Sequence, residues 1–110
     1  MKISVDEKGG VAVVKLSGSL TGGDEGWHGR VTELVDQPSA KVVLEMAEVD
    51  YISSAGLGEL VKLTALANTQ GSRVVLAAPT PFVAGVLKTT RLDRFFDICP
   101  DVDSALTKLK

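Results

Sequence analysis

Two runs of this chain, Lys41-Val42-Val43-Leu44-Glu45-Met46 and Val74-Val75-Leu76-Ala77-Ala78, are apolar on both faces at their centres. A strand with one wet face alternates polar and apolar residues, so a run without alternation belongs inside a sheet covered on both sides. Sheets of that kind are mostly parallel, and parallel strands need crossover helices. The neighbouring sequence supplies them. Trp27, Val31, Leu34 and Val35 recur on one helical face and predict a first helix over roughly 24–36, with a start weakened by Gly26 and Gly29, each costing about 1 kcal/mol relative to Ala. Residues 53–70 carry Leu57, Leu60, Val61, Leu63 and Ala67 within one arc of the helical wheel and stop at Gly71, a natural residue for a helix end. Pro81 is placed to begin a third helix through Val83, Val86 and Leu87.

The ends complete the pattern. Residues 3–6 and 11–17 are rich in β-branched side chains and flank Glu7-Lys8-Gly9-Gly10, which predicts an opening hairpin. Phe95-Phe96-Asp97-Ile98 reads as a last strand and residues 101–109 as a last helix. The succession ββαβαβαβα predicts an α/β fold, a mixed but mostly parallel sheet of four to five strands covered by about four helices. A length of 110 residues with 45% hydrophobic side chains fits one domain over 1–110.

Several function classes find no support in these residues. Twelve basic and 14 acidic residues, net charge −2, are scattered without the basic footprint of a nucleic-acid binder. The apolar runs are far short of the ~20 residues that span a bilayer, so no membrane insertion is expected. Met1 to Gly10 is too polar for a secretory signal and the single Cys99 has no disulfide partner, which fits a reducing cytoplasm. His28 is the only histidine, lies off the apolar stripe and reads as a surface residue; Cys99 reads as a packing residue. The chain has no GxSxG elbow and no GxxxxGK[ST] loop, and Gly56-Leu57-Gly58 lacks the third glycine of a dinucleotide fingerprint. No enzymatic activity and no cofactor are expected.

The segment from Val49 to Gly58, between a buried strand and the best-defined helix, stands apart. Ser53 or Ser54 can cap the helix, and the small residues Ala55, Gly56 and Gly58 let another backbone come close. Tight packing of helix on sheet and docking of a partner are both compatible with that composition. On the second helix Leu66 falls among Glu59, Lys62 and Gln70, opposite the core arc, and is a candidate docking contact, although single exposed leucines are common.

These residues resemble the signature of STAS domains, the anti-sigma factor antagonist family, which usually reads Asp-Ser-Ser/Thr-Gly-Leu-Gly after an aromatic and an aliphatic residue. Tyr51 and Ile52 match the lead-in, Ser54 the serine phosphorylated in the family, and Gly56-Leu57-Gly58 the tail. Leu16-Ser17-Gly18-Ser19-Leu20 is similar to the family's strand-end motif, and Pro81, Val83, Leu87, Thr90-Arg91-Leu92, Phe95-Phe96 and Ile98 are similar to its third helix and last strand. Ser53 stands where the family carries an acid and Ala55 where it carries a second hydroxyl; Thr21-Gly22-Gly23 stands where an aspartate is usual.

The resemblance implies a partner switch. The unmodified domain binds a cognate serine/threonine kinase that is itself an anti-sigma factor, and phosphorylation of Ser54 by that kinase releases it. ATP and magnesium belong to the partner. Ser53, Ala55, Gly56, Leu57, Gly58 and Leu66 are the expected partner contacts. A phosphate on Ser54 adds about −1.5 to −2 charges at a helix N-terminus, where free N–H groups and the dipole tolerate it, while a closely packed partner meets repulsion. The alternative from another class is an accessory STAS subunit of a transporter or sensory complex that is never phosphorylated; an enzyme using Ser54 as nucleophile comes third.

Overall fold

The structure, a computed structural model, describes residues 1–21 and 25–109. The expected helix start at Asp24 and the Gly22-Gly23 pair lie outside the described residues, as does Lys110.

The elements run β1 (Lys2–Lys8), β2 (Val11–Leu20), α1 (Glu25–Val35), β3 (Lys41–Ile52), α2 (Ser54–Thr69), β4 (Arg73–Ala77), α3 (Pro81–Thr89), a short 3-10 turn at Leu92–Arg94, β5 (Asp97–Cys99) and α4 (Val102–Lys108). The strands form one sheet in the order β1-β2-β3-β4-β5. Only β1 is antiparallel to its neighbour; the other three pairings are parallel. This is the mixed, mostly parallel α/β sheet expected, at its upper strand number.

Strand parity divides the core in two. Val42, Leu44, Val74 and Leu76 join Val14, Leu16 and Leu20 under α1, α2 and α3, where Trp27, Val31, Leu60, Leu63, Val83 and Leu87 are buried. Val43, Val75 and Ala77 point the other way and meet Ala105 and Leu109 at α4. Three helices therefore cover one face and the short α4 the other, which is why the two central runs carry no polar alternation.

Two expectations are corrected. Phe95 and Phe96 are not part of the last strand: Arg91 takes a left-handed conformation (φ 64°), and the Leu92 carbonyl accepts both the Phe95 and Phe96 amides, turning the chain before β5. Phe96 is buried in the core while Phe95 stays partly exposed and meets it edge to face, with centroids 5.1 Å apart. The β2 and β3 strands also run further than expected, to Leu20 and Ile52, so Val49 to Ile52 belong to the strand. Their shared end pairs Ser19 with Tyr51 and Leu20 with Ile52 after register shifts around Gly18, whose φ of +106° favours glycine.

Candidate functional site

The turn from β3 into α2 builds the site. Ser53 is the helix cap, with extended backbone (φ −89°, ψ 167°), and its hydroxyl accepts the Gly56 amide at 3.0 Å. Its own amide donates to the Leu20 carbonyl at 3.0 Å, which ties the start of α2 to the end of β2. Of the two serines that could cap, Ser53 does so, and Ser54 becomes the first residue of the helix.

Ser54 is exposed, and its hydroxyl makes no hydrogen bond among the described residues. The first turn of α2 holds no acidic side chain, so no negative charge there offsets the positive end of the dipole, and the amides of Ser54 and Ala55 lie beyond the Ser53 cap. Chemically this is an oxygen in the open, at a place able to accommodate negative charge. No group of metal-ligating side chains exists among the described residues.

Around Ser54 the expected contact residues separate. Ala55 and Gly58 are exposed and Ser53 is half-buried by its cap. Gly56 and Leu57, also expected as contacts, are buried in the domain itself. A Cβ on Gly56 would lie 2.1 Å from the Leu20 carbonyl oxygen, so the backbone that comes close to this glycine is the chain's own. At Gly58 nothing lies within 4 Å of such an atom. Leu66, expected to stand in solvent opposite the core arc, is half-buried and packs on the core. The helix face read as solvent-facing is the one that meets α1, since Glu59 lies 2.8 Å from the imidazole of His28 and the Gln70 side chain donates to Asp36 at 3.0 Å.

Two exposed aromatic rings adjoin this turn. Tyr51 on the end of β3 and Phe82 in the first turn of α3 are 47% and 48% exposed, with centroids 5.6 Å apart. Thr80 brings them together: its hydroxyl donates to the Val49 carbonyl at 2.9 Å while capping α3 through the Val83 amide at 3.4 Å. Sequence reasoning used Tyr51 only as a motif residue and passed over Phe82. The available signal was an aromatic directly after the helix-starting Pro81, off the Val83–Leu87 stripe.

The family model described as the STAS domain matches residues 2–105. A protein of Bordetella bronchiseptica named as an anti-sigma factor antagonist, BtrV, is 30% identical over all of this chain and 96% of its own length. An anti-sigma factor antagonist from Mycobacterium paratuberculosis superposes with a TM-score of 0.80 at 26% identity, covering 98% of this chain and 92% of that one. The STAS domain protein of Planctomyces limnophilus shares the fold at a TM-score of 0.81 and 16% identity, covering 97% of each chain.

Proposed function

The chain belongs to the STAS domain family, and we propose that it is an anti-sigma factor antagonist that works as a partner switch controlled by phosphorylation of Ser54. Binding, rather than catalysis, is its activity: the unmodified domain docks a kinase-type anti-sigma factor and the phosphorylated domain lets it go. The observation that carries this reading is the exposed Ser54 hydroxyl on the first residue of a 16-residue helix whose cap is supplied by a different serine. A phosphate there leaves the Ser53 cap untouched and meets free amides of the first turn, so the fold tolerates it. A partner seated over Ala55 and Gly58 meets a bulky dianion instead, and repulsion with desolvation opposes the complex.

The partner surface in this reading is Ser53, Ser54, Ala55 and Gly58 with the Tyr51–Phe82 rings beside them, aromatic anchors of the kind that carry much of an interface's binding energy. The test is to incubate the domain with its kinase-type anti-sigma factor and ATP and map the product by mass spectrometry. One phosphate on Ser54, none on the Ser54→Ala variant, and loss of capture by Ser54→Asp at unchanged melting temperature are expected. Equal capture by Ser54→Ala and Ser54→Asp would overturn the switch.

A further inference from the structure

The outer edge of β1 carries a pattern complementary to itself. β1 pairs with β2 along all seven of its residues and stands at the end of the strand order, so its other edge has no strand against it among the described residues. Lys8 and Val11 flank the Gly9-Gly10 turn as a pair, which directs the main chain of Lys8, Asp6, Ser4 and Lys2 toward β2 and that of Ile3, Val5 and Glu7 outward. The Glu7 amide, accordingly, donates not to β2 but to the neighbouring Asp6 carboxylate at 2.9 Å. Side chains obey the same parity: Ile3 and Val5 pack, half-buried, on the three-helix side, while Lys2, Ser4, Asp6 and Lys8 are exposed on the other face. Neither Lys2 nor Asp6 has an ion-pair partner among the described residues.

We propose that β1 is a self-association edge, through which two copies of this chain pair β1 against β1, antiparallel, about a twofold axis at Ser4. Outward main-chain groups must meet outward groups, and the core side of one sheet must continue into the core side of the other, so only a few registers are open. Centring on Val5 sets Lys2 against Lys8 and Ile3 against Glu7. Centring on Ile3 leaves Asp6 and Glu7 beyond the paired stretch. Centring on Ser4 places Lys2 opposite Asp6 and Ile3 opposite Val5, and the twofold axis makes each pairing occur twice. Cross-strand pairs of opposite charge and of β-branched residues are the favourable ones. Charged edge strands ordinarily hold sheets apart; here their spacing matches the charges of one copy to those of the next. The contact is small and the dimer accordingly weak and reversible. This inference is independent of the partner switch, since it involves neither Ser54 nor the aromatic pair.

Sedimentation velocity on the full chain, at low salt and concentrations up to about 1 mM, reads the monomer–dimer Kd. Reversing one charge, Lys2→Asp or Asp6→Lys, sets like charges opposite each other twice and is expected to raise Kd about ten-fold or more; combining the two reversals restores the pairing and returns Kd to within about three-fold of the parent. Both residues are exposed, and far-UV circular dichroism confirms that each variant is folded. A chain that stays monomeric to the highest concentration, a dimer indifferent to the single reversals, or a double reversal that fails to restore association each overturns the proposal.

Discussion

The α-carbon of Gly56 faces the main-chain carbonyl of Leu20 so closely that a methyl group placed on it would lie 2.1 Å from the oxygen and 2.7 Å from the carbon. The same oxygen accepts the Ser53 amide, so α2 is held against the end of β2 at two points within one turn. Neither backbone can retreat without losing that bond. Gly56→Ala is therefore expected to destabilise the fold by roughly 2–3 kcal/mol, as overpacking against an immobile neighbour does. A urea titration gives this as a drop in midpoint at unchanged slope; a change under about 0.5 kcal/mol would mean that the contact yields freely.

Gly58, two residues along the same helix, has the opposite expectation. It is exposed and a methyl group there meets nothing within 4 Å, so Gly58→Ala removes chain entropy from the unfolded state without a clash. A gain of about 0.5–1 kcal/mol in stability is expected. Weaker capture of the anti-sigma partner by this more stable variant would separate a surface role for Gly58 from a folding role.

How far the sequence could be read depended on how local each determinant is. The central strands announced themselves through Val42–Leu44 and Val74–Ala77, because short runs without polar alternation, rich in β-branched valine and bounded by turn residues, fit strands buried on both faces. Helix starts at Ser53 and Pro81 were legible from capping chemistry within four residues. Three features were not. Gly56 and Leu57 sat in a motif that suggested surface, yet the neighbour that buries Gly56 is Leu20, a contact set by how β2 ends. Leu66 looked exposed because a single helical wheel cannot show that α1 lies along that side. The Tyr51–Phe82 pair depends on the Thr80–Val49 bond between elements far apart in sequence.

Ser53 and Ser54 are adjacent hydroxyls with different work, and substitution separates them. Ser53→Ala removes the acceptor for the Gly56 amide and is expected to lower stability by about 1 kcal/mol. Ser54→Asp places an anion on the first residue of a helix whose first turn has no acid, which is expected to leave stability unchanged or raise it by about 0.3–1 kcal/mol at low salt. Thermal unfolding of the two variants in parallel tests the assignment, and a destabilised Ser54→Asp would count against a phosphate being accommodated there.

Asp97 links the second face to acid stability. Its carboxylate lies 3.2 Å from both Arg73 and Lys108, joining β5 to β4 and α4. Partial burial raises its pKa, but the hydrogen bonds and charges of Arg73 and Lys108 outweigh that and hold it below the ordinary carboxylate value. A carboxyl whose folded pKa lies below its unfolded one contributes stability in full above the unfolded value, near 3.9, and loses it as pH falls through the folded value. The contribution is small because all three groups are well exposed. Asp97→Asn is expected to flatten the stability profile below about pH 4, measured by urea unfolding across an acid series; an unchanged acid limb would show the cluster to be energetically silent.

The Tyr51–Phe82 pair presents two rings to water beside the exposed Ser54, an arrangement that folding by itself does not require of Phe82. Each ring is about half exposed, so truncating Phe82 forfeits about half of what a fully buried phenyl contributes, and a stability loss of about 1 kcal/mol is expected. The partner, by contrast, would lose an anchor whose desolvation occurs only on binding. Phe82→Ala is expected to weaken capture of the anti-sigma factor about ten-fold or more. Tyr51→Ala is expected to do the same, and the doubly substituted domain to lose less than the sum, because tilted rings 5.6 Å apart stabilise each other's position. Isothermal titration of the four forms against one partner preparation gives the coupling directly. Full binding by Phe82→Ala together with loss of binding by Ser54→Asp would confine the partner surface to α2 and exclude α3.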